Sequence, residues 1–299
     1  MPEFWFLYAF SSAIIFGFTT IIDKLMLAKR LSSFSYFVTF VPPAFVFSIC
    51  VLLFFPTNLF PIPSLIAFAA GLISGGGYFL YVISIRKEEA SRISALTSLA
   101  PAFVAVLAVF LVNEIFPAKS YIGIFLMILG AALISYKRNN VKRMIPISLI
   151  LILIATNFAY SLDQTFSKIS LDAMLFWPFL MIFMFGRFVA VIPGFAISSA
   201  RRKCFSEIKK LKRNFAFALA VGSISWTVAI VLFFYAASLG PITLVSTISI
   251  ISPLFTLVFA SLLSKHFPKI LKEEIDRKTL GLKLFAVLLI CVGTYLIIV

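Results

Sequence analysis

Arg187 is a charged residue within a long apolar run, where it follows Phe185 and Gly186 and precedes Phe188. A charge near the centre of a lipid bilayer costs at least about 2.5 kcal/mol, so such a residue usually faces a polar cavity or a carboxylate. A guanidinium can bind a carboxylate or phosphate through two parallel hydrogen bonds. We therefore predict that Arg187 binds a substrate. The alternatives are an internal ion pair with Asp163 and a side chain that snorkels to the membrane surface.

Asp163 belongs to a second polar cluster in an otherwise apolar run. Polar residues recur beside it at steps of three and four, which places them on one helix face with Asp163 at its edge. They are Asn157, Tyr160, Ser161 and Gln164. Because such a face must point at protein or water, we predict that Asn157, Tyr160, Asp163 and Gln164 bind substrate. Asp163 is also a candidate for proton or ion coupling, and its alternatives are a helix cap or a place among lipid headgroups.

Two more apolar runs combine glycines with aromatic residues. The three consecutive glycines Gly75, Gly76 and Gly77 allow another helix or a ligand to approach the backbone. We predict that nearby aromatic side chains wall a binding site, although packing or an interfacial aromatic belt is an alternative for each. These aromatic residues are Tyr78, Tyr81, Trp226 and Tyr235. Asp23, at the end of the first apolar run, is a second candidate for proton or ion coupling.

The composition predicts that lipid surrounds these residues. Of 299 residues, 62% are hydrophobic and 12% are charged, and the mean hydropathy is +1.10. The net charge of +15 does not indicate nucleic-acid binding, because the basic residues fall in short gaps between apolar runs. Runs long enough to cross a bilayer number ten. They are Phe4–Ile22, Phe34–Phe55, Ser64–Ile85, Ile93–Asn113, Ser120–Tyr136, Ile145–Leu162, Ala173–Ser199, Asn214–Ser238, Pro241–Ser264 and Leu280–Val299.

The fold class predicted from these runs is an all-α integral membrane protein, since barrel-type alternation is missing and unpaired amides are costly in lipid. Nearly all Lys and Arg residues lie in loops that follow odd-numbered spans, whereas the even loops hold only Lys119 and Lys168. The positive-inside rule then places the odd loops in the cytoplasm and both termini outside. We predict a multi-pass protein of the plasma (inner) membrane. Apolar residues in the basic loops Arg201–Asn214 and Lys265–Lys278 indicate either surface-lying helices or solvated loops.

The chain also contains an internal repeat. Superposing Pro101 on Pro253 aligns the Ser- and Thr-rich segments that precede both prolines. Gly123 and Gly130 find counterparts in Ala286 and Gly293, and Asp23 pairs approximately with Asp163. We predict two five-helix units, residues 1–140 and 145–299. Since five is odd, the second unit must be inverted, and inverted repeats are common in secondary transporters.

These features resemble the drug/metabolite transporter superfamily, in particular its EamA-type members. The family pattern of a proline, a glutamate thirteen residues later and two glycines matches Pro101, Glu114, Gly123 and Gly130. Gly17, Lys24 and the tract from Tyr235 to Pro253 are also similar. The resemblance covers essentially the whole chain and implies a ten-helix transporter, with structural roles for the matched residues and Pro253. The second half departs from the pattern, since His266 stands where the glutamate is expected and a charged insertion follows.

Motifs for catalysis are missing from the sequence. There is no Gly-rich phosphate loop, no His/Cys cluster and no paired nucleophile and base, so we predict neither an enzyme nor a bound cofactor or metal. We predict a monomeric secondary active or facilitative transporter of a small polar metabolite of the amino acid, nucleobase or amine class. It would work by alternating access, with or without proton coupling. The alternative is a lipid-linked flippase or its accessory subunit, which predicts a lateral groove lined by Arg and Lys.

Overall fold

The computed structural model describes residues 4–29, 31–54, 61–88, 90–97, 99–135, 146–264 and most of 285–296. All regular structure in these ranges is helical. The first half comprises α1 (Phe4–Lys29), α2 (Ser33–Phe40), α3 (Pro42–Phe54), α4 (Pro61–Lys87), α5 (Ala90–Thr97), α6 (Ala100–Leu111) and α7 (Ala118–Ser135). The second half comprises α8 (Ile147–Ala173), α9 (Phe176–Val189), α10 (Ile192–Ala196), α11 (Ser198–Lys209), α12 (Arg213–Leu239), α13 (Ile242–Ile248), a 3₁₀ turn (Ser249–Ile251) and α14 (Ser252–Ser264). Residues 285–296 add helical structure.

Seven helical stretches in the described part of the chain are long and apolar enough to cross a membrane. They are Phe4–Leu27, Ser33–Phe54, Pro61–Lys87, Ile147–Ala173, Phe176–Ala196, Arg213–Leu239 and Ile242–Leu263. The predicted fourth and fifth spans correspond to the shorter apolar helices Ala100–Leu111 and Ala118–Gly130. The predicted tenth span lies in the partly described C-terminal segment, so the count of ten stays a prediction.

Two predicted span ends differ from the structure. The sixth span was predicted to end at Leu162, yet α8 continues to Ala173 and carries Asp163 well inside the helix. Likewise α1 continues beyond Asp23 to Lys29. Both carboxylates are buried among other helices. A charge therefore marks a polar interior face here, and not the end of a span.

Four of the predicted spans are divided in the described structure, namely the second, fourth, seventh and ninth, and two of these divisions lie at the prolines of the repeat. The first of the two separates α5 from α6, where Pro101 occupies the first turn of α6. The second is the 3₁₀ turn that separates α13 from α14, with Pro253 as the second residue of α14. A proline fits the first turn of a helix, because its missing N–H would have no partner within that helix, and it disrupts the preceding turn.

Glycines permit a close crossing of α4 and α9. A Cβ atom on Gly71 would collide with the carbonyl oxygen of Phe183, and one on Gly186 would collide with that of Phe68. A Cβ atom on Gly75 would lie 3.2 Å from the Arg187 carbonyl oxygen. Small residues allow helix backbones to approach in this way within membranes. The glycines thus bring the backbone that carries Arg187 against α4.

The predicted triple-glycine motif divides between two neighbours. Gly75 faces Ala190 at the C-terminal end of α9, whereas a Cβ atom on Gly77 would lie 3.1 Å from the Cβ atom of Ala159 in α8. Gly76 has no heavy atom within 4 Å of the position its Cβ would take. The two outer glycines therefore serve packing on different sides of α4, and Gly76 faces away from both.

The predicted glycines of α7 meet the C-terminal helical segment. A Cβ atom on Gly130 would lie 2.7 Å from the carbonyl oxygen of Ala286. Conversely, a Cβ atom on Gly293 would lie 2.6 Å from the carbonyl oxygen of Gly123. The small residues of the two segments thus face each other at a close antiparallel crossing.

The loop helix α11 packs onto the beginning of α2. The Glu207 carboxylate accepts a hydrogen bond from the backbone N–H of Ser32 at 2.8 Å. Burial alone would raise the pKa of Glu207, but hydrogen bonds from Ser32 and Ser35 hold it below its usual value. Of the predicted apolar stripe, Ile208 and Leu211 pack against the core, whereas Phe205 is exposed. The corresponding stripe in Lys265–Lys278 lies outside the described residues.

Glu114 links the end of α6 to the beginning of α13. Asn113 adopts the left-handed conformation with φ of 58°, and the Glu114 N–H donates to the Ala108 carbonyl at 3.1 Å. Asparagine tolerates this conformation well, so it ends the helix and redirects the chain. The Glu114 carboxylate then accepts hydrogen bonds from the N–H groups of Ile242 at 2.8 Å and Thr243 at 3.0 Å. A side chain from the first half thus caps a helix of the second.

Substitution of Glu114 by alanine is expected to reduce the free energy of unfolding by about 1 to 2 kcal/mol, because two helix N–H groups lose a charged acceptor. The glutamine variant retains one carbonyl acceptor and is expected to lose less. Thermal unfolding of the purified protein in detergent would measure both. An alanine variant as stable as the wild type would contradict this role.

Candidate functional site

A cavity of about 170 Å³ lies where α1, α4, α8, α9 and α12 meet the interrupted helices that contain Pro101 and Pro253. Its lining combines aromatic and aliphatic walls with hydroxyl groups and three charged side chains. The lining residues are Phe16, Thr19, Thr20, Asp23, Ser74, Tyr78, Tyr81, Ser94, Thr97, Ala100, Pro101, Tyr160, Asp163, Gln164, Arg187, Trp226, Ile230, Phe233, Phe234, Ser246, Ser249, Ile250 and Ser252. Polar groups converging in a mostly apolar cavity are typical of a small-molecule site.

Arg187 is the basic residue of this lining and is only 2% exposed. Its Nη1 donates a hydrogen bond of 2.7 Å to the Ser74 hydroxyl. The guanidinium carbon lies 4.0 Å from the ring centre of Trp226 and 5.3 Å from that of Tyr78. Its Nε and Nη2 atoms are buried and have no hydrogen-bond partner in the described structure. The charge is therefore held by an aromatic face and one hydroxyl, with two donors left over.

Asp163 lies on the other side of Ser74. It is 4% exposed, and its carboxylate interacts with the Ser74 hydroxyl and is attracted to Arg187. Among the described residues it forms no direct ion pair with Arg187. Because Ser74 accepts from Arg187, its own hydroxyl hydrogen remains available for the carboxylate. Ser74 is therefore able to interact with both charges.

Asp23 is the third charged side chain of the cavity lining. It is 2% exposed, and it accepts a 2.5 Å hydrogen bond from the Tyr36 hydroxyl. The Tyr81 hydroxyl also interacts with this carboxylate and with Thr20. Its partners among the described side chains are thus neutral hydroxyl groups, in contrast to those of Asp163.

The remaining predicted site residues divide into two groups. Tyr160 and Gln164 line the cavity together with Tyr78, Tyr81 and Trp226. The Oε1 atom of Gln164 is buried without a partner in the described structure. Asn157 does not line the cavity, and its amide donates to the carbonyls of Leu96 and Leu153. Tyr235 is 37% exposed and packs against Tyr8 and Phe176 outside the cavity.

Several lining residues were not predicted from the sequence. Ser74 directly precedes the triple glycine, and Ser246 and Ser249 precede Pro253 in the repeated segment. Their proximity to glycine or proline within an apolar run was an available signal. Tyr36, which binds Asp23, carries no comparable pattern. No group of three metal-ligating side chains occurs in the part of the chain that the structure describes.

Two lysines cap the C-terminal ends of the cavity helices α4 and α12. The Lys24 ammonium donates to the carbonyl oxygens of Ile85, at 2.8 Å, and Glu88 near the end of α4. The Lys168 ammonium donates to the carbonyl oxygen of Ala237, at 3.0 Å, near the end of α12. A cation is favourable at a helix C-terminus because the last carbonyls lack partners within the helix. Lys24 thus links α1 to α4, and Lys168 links α8 to α12.

Comparison with known proteins agrees with the membrane fold. A solved crystal structure of a protein is similar to this chain with a TM-score of 0.66 at 12% identity, covering 99% of this chain and 96% of the other. At that identity the similarity concerns the fold alone. No curated protein matches the chain. Residues 3–136 match the EamA-like transporter family. Together with the apolar helices, this match indicates a multi-pass membrane protein that is similar to the EamA-like transporter family over residues 3–136.

Proposed function

We propose that this protein transports a small polar metabolite across the membrane by alternating access, with the central cavity as the substrate site. The observation that carries the proposal is the cavity itself, in which Arg187, Asp163 and Asp23 are buried between membrane helices. Buried charges in a membrane are costly and usually mark a transport pathway. The EamA-like first half favours the same function.

The helix interruptions support this assignment. The broken helices at Pro101 and Pro253 both contribute lining residues, and interrupted helices in corresponding positions of two halves are typical of transporter binding sites. Thr97 and Ala100 flank the first break, and Ser249 lies in the second. At such breaks, backbone and hydroxyl groups become available to a substrate.

The proposed inverted halves, 1–140 and 145–299, are supported by matching contacts. The helix pairs α1–α12 and α4–α8 pack more extensively than the other pairs. The proposed repeat makes α1 equivalent to α8 and α4 equivalent to α12, so these two contacts are equivalent to each other. Helices α4 and α12 both have 27 residues and begin 152 residues apart, the same offset that separates Pro101 from Pro253. Lys24 donates to the carbonyl of Ile85, and Lys168 donates to that of Ala237. These two carbonyl groups are also 152 residues apart.

Contacts between loops are compatible with the proposed topology. Lys24 near the end of α1 binds the Glu88 carbonyl, which joins the end of the first span to the third loop, and α11 in the seventh loop binds Ser32 in the first. Glu114 in the fourth loop binds Ile242 at the beginning of the ninth span. We propose that the odd loops face the cytoplasm of the plasma (inner) membrane and both termini lie outside, following the positive-inside rule.

The size and lining of the cavity favour a small solute. A cavity of about 150 Å³ holds benzene, so about 170 Å³ suits a guest of roughly ten non-hydrogen atoms or fewer. The aromatic and aliphatic walls suit an apolar part of the guest, and the charges suit a polar part. The flippase alternative predicts several basic residues along a groove, whereas Arg187 is the sole Lys or Arg among the described lining residues.

Asp23 is the residue that we propose for proton coupling. Its partners are the hydroxyls of Tyr36 and Tyr81, whereas Asp163 is attracted to a fixed cation. A buried carboxylate that lacks a cationic partner becomes easier to accommodate when a proton neutralises it. Asp163 instead interacts with Ser74, which accepts a hydrogen bond from Arg187.

The proposal is tested by uptake into proteoliposomes, screened over labelled amino acids, nucleobases and amines. Ser249→Trp is expected to fill the cavity and abolish uptake of every solute that the wild type moves. Ile224→Trp is the matched control, because Ile224 is exposed on the outer face of α12. Uptake that survives Ser249→Trp at the control rate would contradict the assignment of the cavity.

A further inference from the structure

We infer that the substrate carries a carboxylate, which binds side-on to the Nε and Nη2 edge of Arg187; this inference rests on the transport function proposed above. The cavity therefore selects among small metabolites by their anionic group. Neutral solutes can offer this edge only uncharged acceptors, which bind it more weakly, and purely cationic solutes offer it none.

The guanidinium of Arg187 has one engaged nitrogen and one edge without an acceptor. The guanidinium carbon lies 4.0 Å from the ring centre of Trp226, so the aromatic face stabilises the charge without offering a lone pair to the N–H groups. Nη1 is engaged with Ser74. The remaining donors, Nε and Nη2, lie on a single edge of the guanidinium and have no partner in the described structure. That edge matches the two oxygens of a carboxylate in a bidentate arrangement.

The Nε and Nη2 donors are unpaired although they are buried. Arg187 is 2% exposed, and a buried charged donor that lacks an acceptor is strongly unfavourable. The obvious internal acceptor is Asp163, but its carboxylate interacts with Ser74 and does not reach the free edge as an ion pair. Gly71 and Gly75 fix the Arg187 backbone against α4. The side chain is thus held in place with its anion-binding edge still available.

The charge of the cavity favours a carboxylate over a doubly charged phosphate. The described lining contains one guanidinium together with the carboxyl groups of Asp23 and Asp163. A second negative charge on the guest would find no additional cation there and would be repelled by any ionised carboxylate. The small volume also favours a compact monoanion whose remaining atoms contact the aromatic wall.

Matched carboxylate and carboxamide pairs test this inference on the purified full-length protein. The probes are propionate and propionamide, benzoate and benzamide, and L-alanine and L-alaninamide, and the readout is the ligand-dependent rise in unfolding temperature. At least one carboxylate is expected to stabilise the wild type at a concentration about 10- to 100-fold lower than its amide, as hydrogen bonds to a charged group predict. Arg187→Gln is expected to abolish this preference.

Arg187→Lys and Ser74→Ala complete the series and remain informative if Arg187→Gln does not fold. Lysine keeps the charge but lacks the planar edge, so it is expected to retain only part of the preference. Ser74→Ala leaves the edge but releases its orientation and should weaken the preference less. Equal stabilisation by acids and amides, no stabilisation by any of the acids, or an acid preference that persists in Arg187→Gln and Arg187→Lys would overturn the inference. Proteoliposome uptake of a neutral solute would then leave the transport proposal standing, whereas uptake of nothing would reject both.

Discussion

Leucine in place of Gly71 is expected to destabilise the protein by about 3 kcal/mol or more, near the upper end of the range for overpacked cores. Even a Cβ atom at this position would collide with the Phe183 carbonyl and lie 3.1 Å from the backbone nitrogen of Arg187. Both contacts are with backbone, which cannot move aside as a flexible side chain can. Helices α4 and α9 would have to separate, and Arg187 would move with them.

Gly76→Leu is the control for this substitution, because it lies in the same helix and has open space around its Cβ position. Thermal unfolding in detergent should show a large loss for Gly71→Leu and little change for Gly76→Leu. Equal unfolding temperatures for the two variants would show that the close crossing of α4 and α9 does not exist in the folded protein.

Asp23→Asn is expected to abolish accumulation of substrate driven by a pH gradient, while exchange across the membrane without a gradient continues. A gradient of one pH unit can sustain about a tenfold accumulation per coupled proton, so the ratio should fall from about ten to one. The amide keeps the size of the carboxylate and can still accept from Tyr36, which preserves the packing.

The matched control is Asp172→Asn, because Asp172 is half exposed and pairs with Lys168 outside the cavity. Its variant should accumulate substrate like the wild type. Asp163→Asn, by contrast, is expected to weaken substrate binding through Ser74 and Arg187. Accumulation by Asp23→Asn at the level of the Asp172 control would eliminate Asp23 as the coupling residue.

The sequence allowed some of the candidate site to be predicted because burial of charge in lipid is costly. Arg187 and Asp163 were identified by depth and helix periodicity, and both line the cavity. Asn157 shares the same helical face yet bonds to backbone carbonyls instead. Periodicity defines a polar face but not the neighbour that each residue meets. Ser74 could not be recognised as the link to Arg187, because the two lie 113 residues apart in the chain.

The register of the repeat shows a similar limit. Asp23 was paired with Asp163, an offset of 140, whereas Lys24 and Lys168 cap equivalent helix ends at an offset of 144. The difference is about one helical turn, which leaves the same face of the helix pointing inward. Matching by residue type thus aligned Asp23 with Asp163, which line the same cavity. The capping contacts of Lys24 and Lys168 instead support an alignment of α1 with α8 that is shifted by one helical turn.

The central claim, that the cavity is reached alternately from both sides of the membrane, is tested most directly by cysteine accessibility. Ser246→Cys places a thiol in the cavity lining, in a background where Cys50, Cys204 and Cys291 are replaced and transport is retained. A membrane-impermeant maleimide is applied to proteoliposomes from the outside or enclosed within them. We predict labelling from each side, slowed by the transported substrate. Labelling from one side only, or labelling that substrate does not slow, would contradict the account.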